Sequence, residues 1–144
     1  MKIKKEIAIC AIYDDELNLL FQLRSKDAPI LPGYLGLFGG GIENNEAPDT
    51  AIQREIKEEI EYIGQFIFYK IRYAKIGNWY KEKSYIFINN FKGNKEDIVI
   101  NEGEKALWLN LDQIFKSDYK IMEHDFQLVE EIITQLKLKT YYEN

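Results

Sequence analysis

A chain of 144 residues is long enough for one domain with a proper core and too short for two comfortable ones. With 46% hydrophobic and 30% charged residues it falls among globular chains, which excludes an intrinsically disordered one. A formal net charge of −5 argues against a grip on long nucleic acid, which needs a basic footprint, but leaves room for a small phosphorylated substrate if a bound cation supplies positive charge locally.

Ile7 to Tyr13 reads as a buried strand, Asp14-Asp15 as its turn and Leu17 to Leu23 as a second strand. The apolar run around Cys10 is short, lacks a small-residue cleavage pattern and ends in Asp14-Asp15-Glu16. It is therefore neither a signal peptide nor a membrane span, and a cytoplasmic protein without a membrane partner is expected. A single cysteine forms no internal disulfide, and Cys10 reads as a buried structural thiol. Arg24 to Asp27 begins a polar loop, Pro32-Gly33 marks a turn, and Leu35 to Phe38 leads into three glycines. Further on, Phe66 to Tyr73 and Tyr85 to Phe91 read as strands separated by the turn signal Gly77-Asn78. Lys92 to Glu104 reads as a loop, Ala106 to Leu109 as a short strand and Asp112 to Phe115 as a helical turn. Phe126 to Leu138 closes the pattern as an amphipathic helix with Leu128, Val129, Ile132, Ile133 and Leu136 on one face.

The chemistry is concentrated between Gly39 and Tyr62, GGGIENNEAPDTAIQREIKEEIEY. From Pro48 onward this reads as a helix: Ile52, Ile56 and Ile60 recur at helical spacing, and proline suits the first helical position, where a missing N–H costs nothing. At roughly 100° per residue these isoleucines, with Ile63, fill one stripe. Glu55, Glu58 and Glu59 fall on a neighbouring stripe, while Gln53, Lys57 and Glu61 face outward. Three carboxylates at i, i+3 and i+4 repel by a few tenths of a kcal/mol per pair. Either they form a solvated acidic face or a cation holds them. Arg54 alone does not neutralise three acids, whereas Mg²⁺ takes oxygen ligands and combines one or two carboxylates with substrate phosphates. Gly39, Gly40 and Gly41, whose backbone can approach a ligand closely, shift the balance towards the second reading.

Gly40, five residues, Glu46, seven residues and then Arg54-Glu55-Ile56-Lys57-Glu58-Glu59 resemble the Nudix box, the signature of hydrolases acting on a nucleoside diphosphate linked to another group. The chain departs from that pattern at Glu61 and Asn45, where glycine is usual, at Tyr62, where an aliphatic residue is usual, and at Phe38, where proline often precedes the glycine pair. All are turn or helix-end positions. Sequence pattern by itself implies an α+β fold with a mixed sheet. The resemblance implies an α/β fold, a Nudix-like α/β/α sandwich with a mixed β-sheet, as a single domain over residues 1–144.

The resemblance also assigns roles. Glu55 and Glu59 are the principal metal ligands it implies, Glu58 a third or water-mediated one, and the Gly39 carbonyl a backbone ligand. Arg54 and Glu46 orient the carboxylates, and Glu55 is the first choice of general base, although family members place that base differently. Glu102, six residues before Trp108, matches an acid that gives similar proteins another metal contact, with Glu104 second; the competing reading is a solvated loop. The metal implied is Mg²⁺, with Mn²⁺ as a substitute. His124 is the only histidine, which excludes a histidine-based metal cluster and leaves it as a surface or pocket-rim residue.

The substrate is less legible. Trp79 and Tyr80, with Tyr73 and Tyr85, surround a hairpin and either stack a nucleobase, worth roughly 1–3 kcal/mol per base, or fill the sheet core. Tyr80 lies near where dinucleoside polyphosphate hydrolases of the family carry a tyrosine. A coenzyme A signature is absent, as is the proline that the ADP-ribose branch carries beyond the box. The expected reaction is Mg²⁺-dependent cleavage of a nucleoside triphosphate to monophosphate and pyrophosphate. The alternatives are a dinucleoside polyphosphate hydrolase and a non-catalytic Nudix-like nucleotide sensor, the retained box carboxylates favouring an enzyme. A homodimer stays open.

Overall fold

A computed structural model describes residues 3–76 and 80–143. Its sheet is organised around β1, Ile3–Tyr13. Successive strand residues face opposite ways. Ala8, Cys10 and Ile12 join one apolar cluster, and Ile9 and Ala11 join another with the partly buried Ile7 and Tyr13. A strand covered on both faces is apolar at every position, which is why its sequence reads as an unbroken run. The strand starts four residues before that run, because Lys5 and Glu6 pair through backbone while their side chains are exposed.

β6, Tyr80–Asn90, lies parallel to β1 along one edge, and β5, Ile67–Ile76, lies antiparallel outside it. The other edge of β1 takes β4, Phe38–Gly41, antiparallel from Ile7↔Gly41 to Cys10↔Phe38, and then β2, Leu19–Leu23, at Tyr13↔Leu19. β2 lies antiparallel to both β3, Tyr34–Gly36, and β7, Lys105–Leu109, and β8, Lys120–Ile121, runs parallel to β3. The second strand begins at Leu19 rather than Leu17, because Asp14 Oδ1 accepts from the amides of Glu16 and Asn18 and holds Leu17 in a left-handed turn (φ 61°).

Helices cover the two faces of this mixed sheet. α1, Pro48–Ile60, seats Ala51, Ile52, Ile56 and Ile60, all 0% exposed, against Ala8, Cys10, Leu20, Phe38 and Phe87. Each buried isoleucine contributes roughly 2 kcal/mol. α3, Glu123–Glu143, seats Leu128, Val129, Ile132 and Ile133 against Ile9, Phe21 and Ile86 on the opposite face. The result is the α/β/α sandwich that the resemblance implies. A short α2, Leu111–Lys116, starts at a capping box of Asn110 and Gln113. Cys10 is free and buried, and burial pushes its thiol well above the ordinary range, so it stays protonated. Among the described residues no helix is long and apolar enough to cross a membrane.

The helix ends at Ile60, three residues short of the last residue of the predicted stripe, Ile63. Glu61 adopts the left-handed conformation (φ 54°, ψ 36°), its amide bonds to Lys57 O, and Ile63 is left 78% exposed. The loop before β7 satisfies the carbonyls left open at the helix end: Asn101 donates its amide to Glu59 O at 2.9 Å and its Nδ2 to Glu58 O at 2.8 Å. Tyr62 then turns inward, its hydroxyl donating to Asn89 Oδ1 at 2.9 Å and accepting from the Lys92 amide. A side chain in this backbone region costs about 1 kcal/mol, which glycine avoids. Glu61→Gly should therefore stabilise the fold by about 1 kcal/mol and raise the melting temperature by about 3 °C. Calorimetry of the two proteins at one pH measures this, and a lower melting temperature for the variant would contradict the described helix end.

Candidate functional site

Between the start of β4 and the second half of α1 lies a cavity of about 360 Å³, lined among others by Gln22, Arg24, Gly40, Glu55, Glu59 and Glu102. Two glycines make it possible. Gly39 sits opposite Ile9 with φ +148°, where an added Cβ would collide with the Ala8 carbonyl oxygen. An added Cβ on Gly40 would stand 2.6 Å from the Glu55 carboxylate, so the bare backbone there is the space the carboxylate occupies.

Glu59 is 4% exposed, and its Oε1 accepts the Gly39 amide at 2.9 Å. Burial first, then the negative charge of Glu55, pushes its acid up to about 8 against the pull of that amide, and Glu102 and Glu58 push the same way. Glu55 is also raised, first by burial, and Arg54 opposes the shift. The Arg54 guanidinium holds the mouth of the site together. Its Nε and Nη2 fork onto Glu46 at 2.8 and 2.9 Å, Nη2 also donates to Gly41 O at 2.9 Å, and Nη1 donates to Glu55 Oε1 at 2.9 Å. Arg54 and the Glu43 amide hold the Glu46 carboxyl down at about 2.

The residues expected from sequence are only partly gathered. Glu55, Glu59, Gly39 and Glu102 line the cavity, the last on a loop whose backbone Gln22 Nε2 pins by donating to Glu102 O at 3.0 Å. Arg54 and Glu46 stand behind Glu55. Glu58 is more peripheral, its side chain 60% exposed and joined to Arg54 Nη1 at 3.4 Å. Trp79 lies outside the described residues, and of Tyr80 only the backbone, the first residue of β6, is described. Tyr73 is 56% exposed and Tyr85 packs at the edge of the α1 core. His124 sits at the rim of a different cavity.

Sequence reasoning missed that second cavity, about 500 Å³, which shares Arg24 and Leu37 with the first and opens on the α3 face of the sheet. Arg72 and Glu82 face into it from β5 and β6. The available signal was charge at inward-facing positions of strands, in register with Ser84, which is itself fully buried. Arg24 at the junction donates Nε to Ile30 O at 2.8 Å, and no acid pairs with it among the described residues.

Among the described residues no three acid, histidine or cysteine side chains are yet arranged to hold a metal ion. Arg54 engages Glu55 and Glu58, and the Gly39 amide engages Glu59. The donor set nevertheless fits a hard divalent cation. It is all oxygen, its buried member Glu59 has no cationic partner among the described residues, and the acids repel one another until positive charge arrives. The burial of Glu59, together with that repulsion, sets a pH dependence. The unfolded chain releases the Glu59 proton near 4.5 and the fold only near 8, so the contribution of this group is complete below about pH 4.5 and is lost as pH rises through 8. The metal-free melting temperature should accordingly fall between about pH 5 and pH 8, and Glu59→Gln should remove most of that fall. Thermal melts in a chelating buffer across this range test it; a flat wild-type profile would show that Glu59 is not buried as an acid.

Residues 3–132 match the family model of the NUDIX domain. Nucleoside triphosphatase NudI of Escherichia coli O139:H28 is 30% identical over 57 residues, 40% of this chain and 40% of that protein, so the chain spans about two-fifths of the length of the curated relatives it matches. In structure, the MutT protein from Methanosarcina mazei Go1 superposes with a TM-score of 0.76 at 16% identity, covering 94% of this chain and 96% of that one. The E. coli dihydroneopterin triphosphate pyrophosphohydrolase gives 0.74 at 18% identity, over 93% and 99% of the two chains. At such identities the superpositions show the fold. With the family model running across nearly the whole chain and the mixed sheet between two helical layers matching theirs, the protein belongs to the NUDIX family.

Proposed function

We propose that residues 1–144 form one cytoplasmic hydrolase domain that cleaves a phosphoanhydride in a nucleoside diphosphate linked to another group, with a nucleoside triphosphate, cut to monophosphate and pyrophosphate, as substrate. The observation that carries this reading is Glu59, buried beside Glu55 at the edge of a cavity with no cation to pair with among the described residues. The name of the E. coli relative, a nucleoside triphosphatase, supports the choice of substrate over the aligned segment.

Nudix hydrolases generally need a divalent metal. Here Mg²⁺, or Mn²⁺ in its place, would be held by Glu55 and Glu59, with Glu58, Glu102 and the Gly39 carbonyl as further oxygen donors, and would supply the positive charge that phosphoanhydride cleavage needs. The remaining work falls to the chain. Arg54, locked by Glu46 and Gly41, fixes the orientation of Glu55 through Oε1 and leaves Oε2 to take a proton from the attacking water. Arg24, at the junction of the cavities, lies where a polyphosphate would run from one to the other and offers it Nη groups that have no partner among the described residues. The apolar wall of the second cavity, Ile7, Ile9 and Leu35, then receives the nucleoside.

Two substitutions test the assignment. Glu59→Gln keeps the shape and the acceptor for Gly39 N–H, so the metal-free melting temperature at pH 8 should be unchanged or raised. Any stabilisation by Mg²⁺ should disappear, and Mg²⁺-dependent pyrophosphate release should fall by roughly 100-fold or more. Glu102→Gln should show a milder form of the same loss. Near-normal Mg²⁺-dependent turnover in Glu59→Gln would remove α1 as the metal platform, and nucleotide binding without turnover under any divalent metal would point instead to a sensor.

A further inference from the structure

The polar groups of the second cavity that the proposed chemistry does not use include Glu82 and Arg72, beside Lys5, Lys75, His124 and Asp125. Glu82 on β6 is 7% exposed, and its one hydrogen bond among the described residues is a long one, from Ser84 Oγ to Oε1 at 3.4 Å. Arg72 on β5 stands opposite Ser84, and Ala74 opposite Glu82, so Arg72 and Glu82 are diagonal neighbours on one face of the sheet. The guanidinium is turned towards the start of α3, where Nη1 donates to Asp125 Oδ1 at 3.1 Å and His124 O at 3.3 Å. Its Nε is buried without a partner, and no ion pair joins Arg72 to Glu82 among the described residues. A carboxylate as buried as that of Glu82, with one long hydrogen bond among the described residues, is costly unless something completes it, whereas the Arg72 Nε is covered by protein and is not open to a ligand.

We infer that Glu82 is a specificity-determining residue for the base of the nucleotide proposed above, reading an exocyclic amino group such as that of cytosine or adenine. The inference rests on that nucleotide reading. A carboxylate oxygen accepts, so it matches an exocyclic amine. The keto counterparts, uracil and hypoxanthine, present a carbonyl oxygen at that position, so acceptor meets acceptor. Sites that hydrogen-bond a substrate group discriminate strongly against analogues that leave their buried polar atoms unpaired. Ile7, Ile9 and Leu35 supply an apolar wall against which a flat ring of either size can lie.

The test compares CTP with UTP and ATP with ITP on the full chain with Mg²⁺, by pyrophosphate release, and CMP with UMP and AMP with IMP by titration calorimetry, which needs no turnover. The amino member should be preferred by roughly 100-fold in at least one pair, in kcat/KM and in affinity, the favoured pair telling cytosine from adenine. Glu82→Gln exchanges one acceptor oxygen for a donor amide at constant size and should collapse that ratio to within about threefold by strengthening the keto member. Equal or keto-favouring ratios in wild type, an unchanged ratio in Glu82→Gln, or no nucleotide binding at all would overturn the inference, and the wild-type ratios decide it if the variant does not fold. Turnover without preference would leave the hydrolase reading standing, whereas amino preference in binding without turnover would sink the hydrolase reading and keep this one.

Discussion

The site depends on the absence of two side chains. Because Gly39 and Gly40 present bare backbone between β1 and α1, the carboxylates of Glu55 and Glu59 can be drawn into the protein next to one another. Nothing about two neighbouring acids favours that placement; desolvation and mutual repulsion both oppose it. It is imposed by the neighbouring stripe of the helix, where Ala51, Ile52, Ile56 and Ile60 are fully buried against the sheet and fix the rotation of α1. A helix rotated to free its acids would expose three isoleucines, a loss of roughly 6 kcal/mol, which exceeds the cost of crowding. The fold therefore holds its acids in a state that a cation relieves.

Arg54 shows how such a cluster can be held without being neutralised. One guanidinium reaches Glu46, Gly41 O and Glu55 at hydrogen-bond distance, yet Glu59 lies beyond it and, among the described residues, accepts only from the Gly39 amide. Charge is partly compensated at the mouth and, among the described residues, uncompensated at the back. The sheet divides the remaining tasks by face. α1 places carboxylates on one side, the residues facing α3 form a second cavity on the other, and Arg24 belongs to both.

Much of this could be read from the residues. The helix from Pro48, its isoleucine stripe and the placement of Glu55 and Glu59 off its outward face follow from local spacing, which a sequence displays directly, while the roles of Arg54 and Glu46 beside the carboxylates come from the family resemblance. Elements that depend on distant partners could not be read. β3, β4 and β8 are two to four residues long, and β4 is three parts glycine, so they are strands only because β1, β2 and β3 lie beside them. The end of α1 is set by Asn101, some forty residues away, whose backbone and side chain satisfy the last carbonyls; the periodicity ran on to Ile63 because it contains no information about that loop. Likewise Arg72 reads as an ordinary charge on a strand and Glu82 falls ahead of the strand expected from Tyr85, and only the register of β5 against β6 brings them to one cavity.

The claim on which the account turns is that the Gly39–Gly40 backbone and the α1 acids form a divalent-cation site. A crystal structure of the protein grown with Mn²⁺ and a non-hydrolysable nucleoside triphosphate analogue, with anomalous data collected at the manganese edge, tests it most directly. The account predicts an anomalous peak coordinated by the carboxylates of Glu55 and Glu59, with the polyphosphate reaching it past Arg24. Bound analogue with no peak at those two carboxylates, or a peak ligated elsewhere, would contradict it.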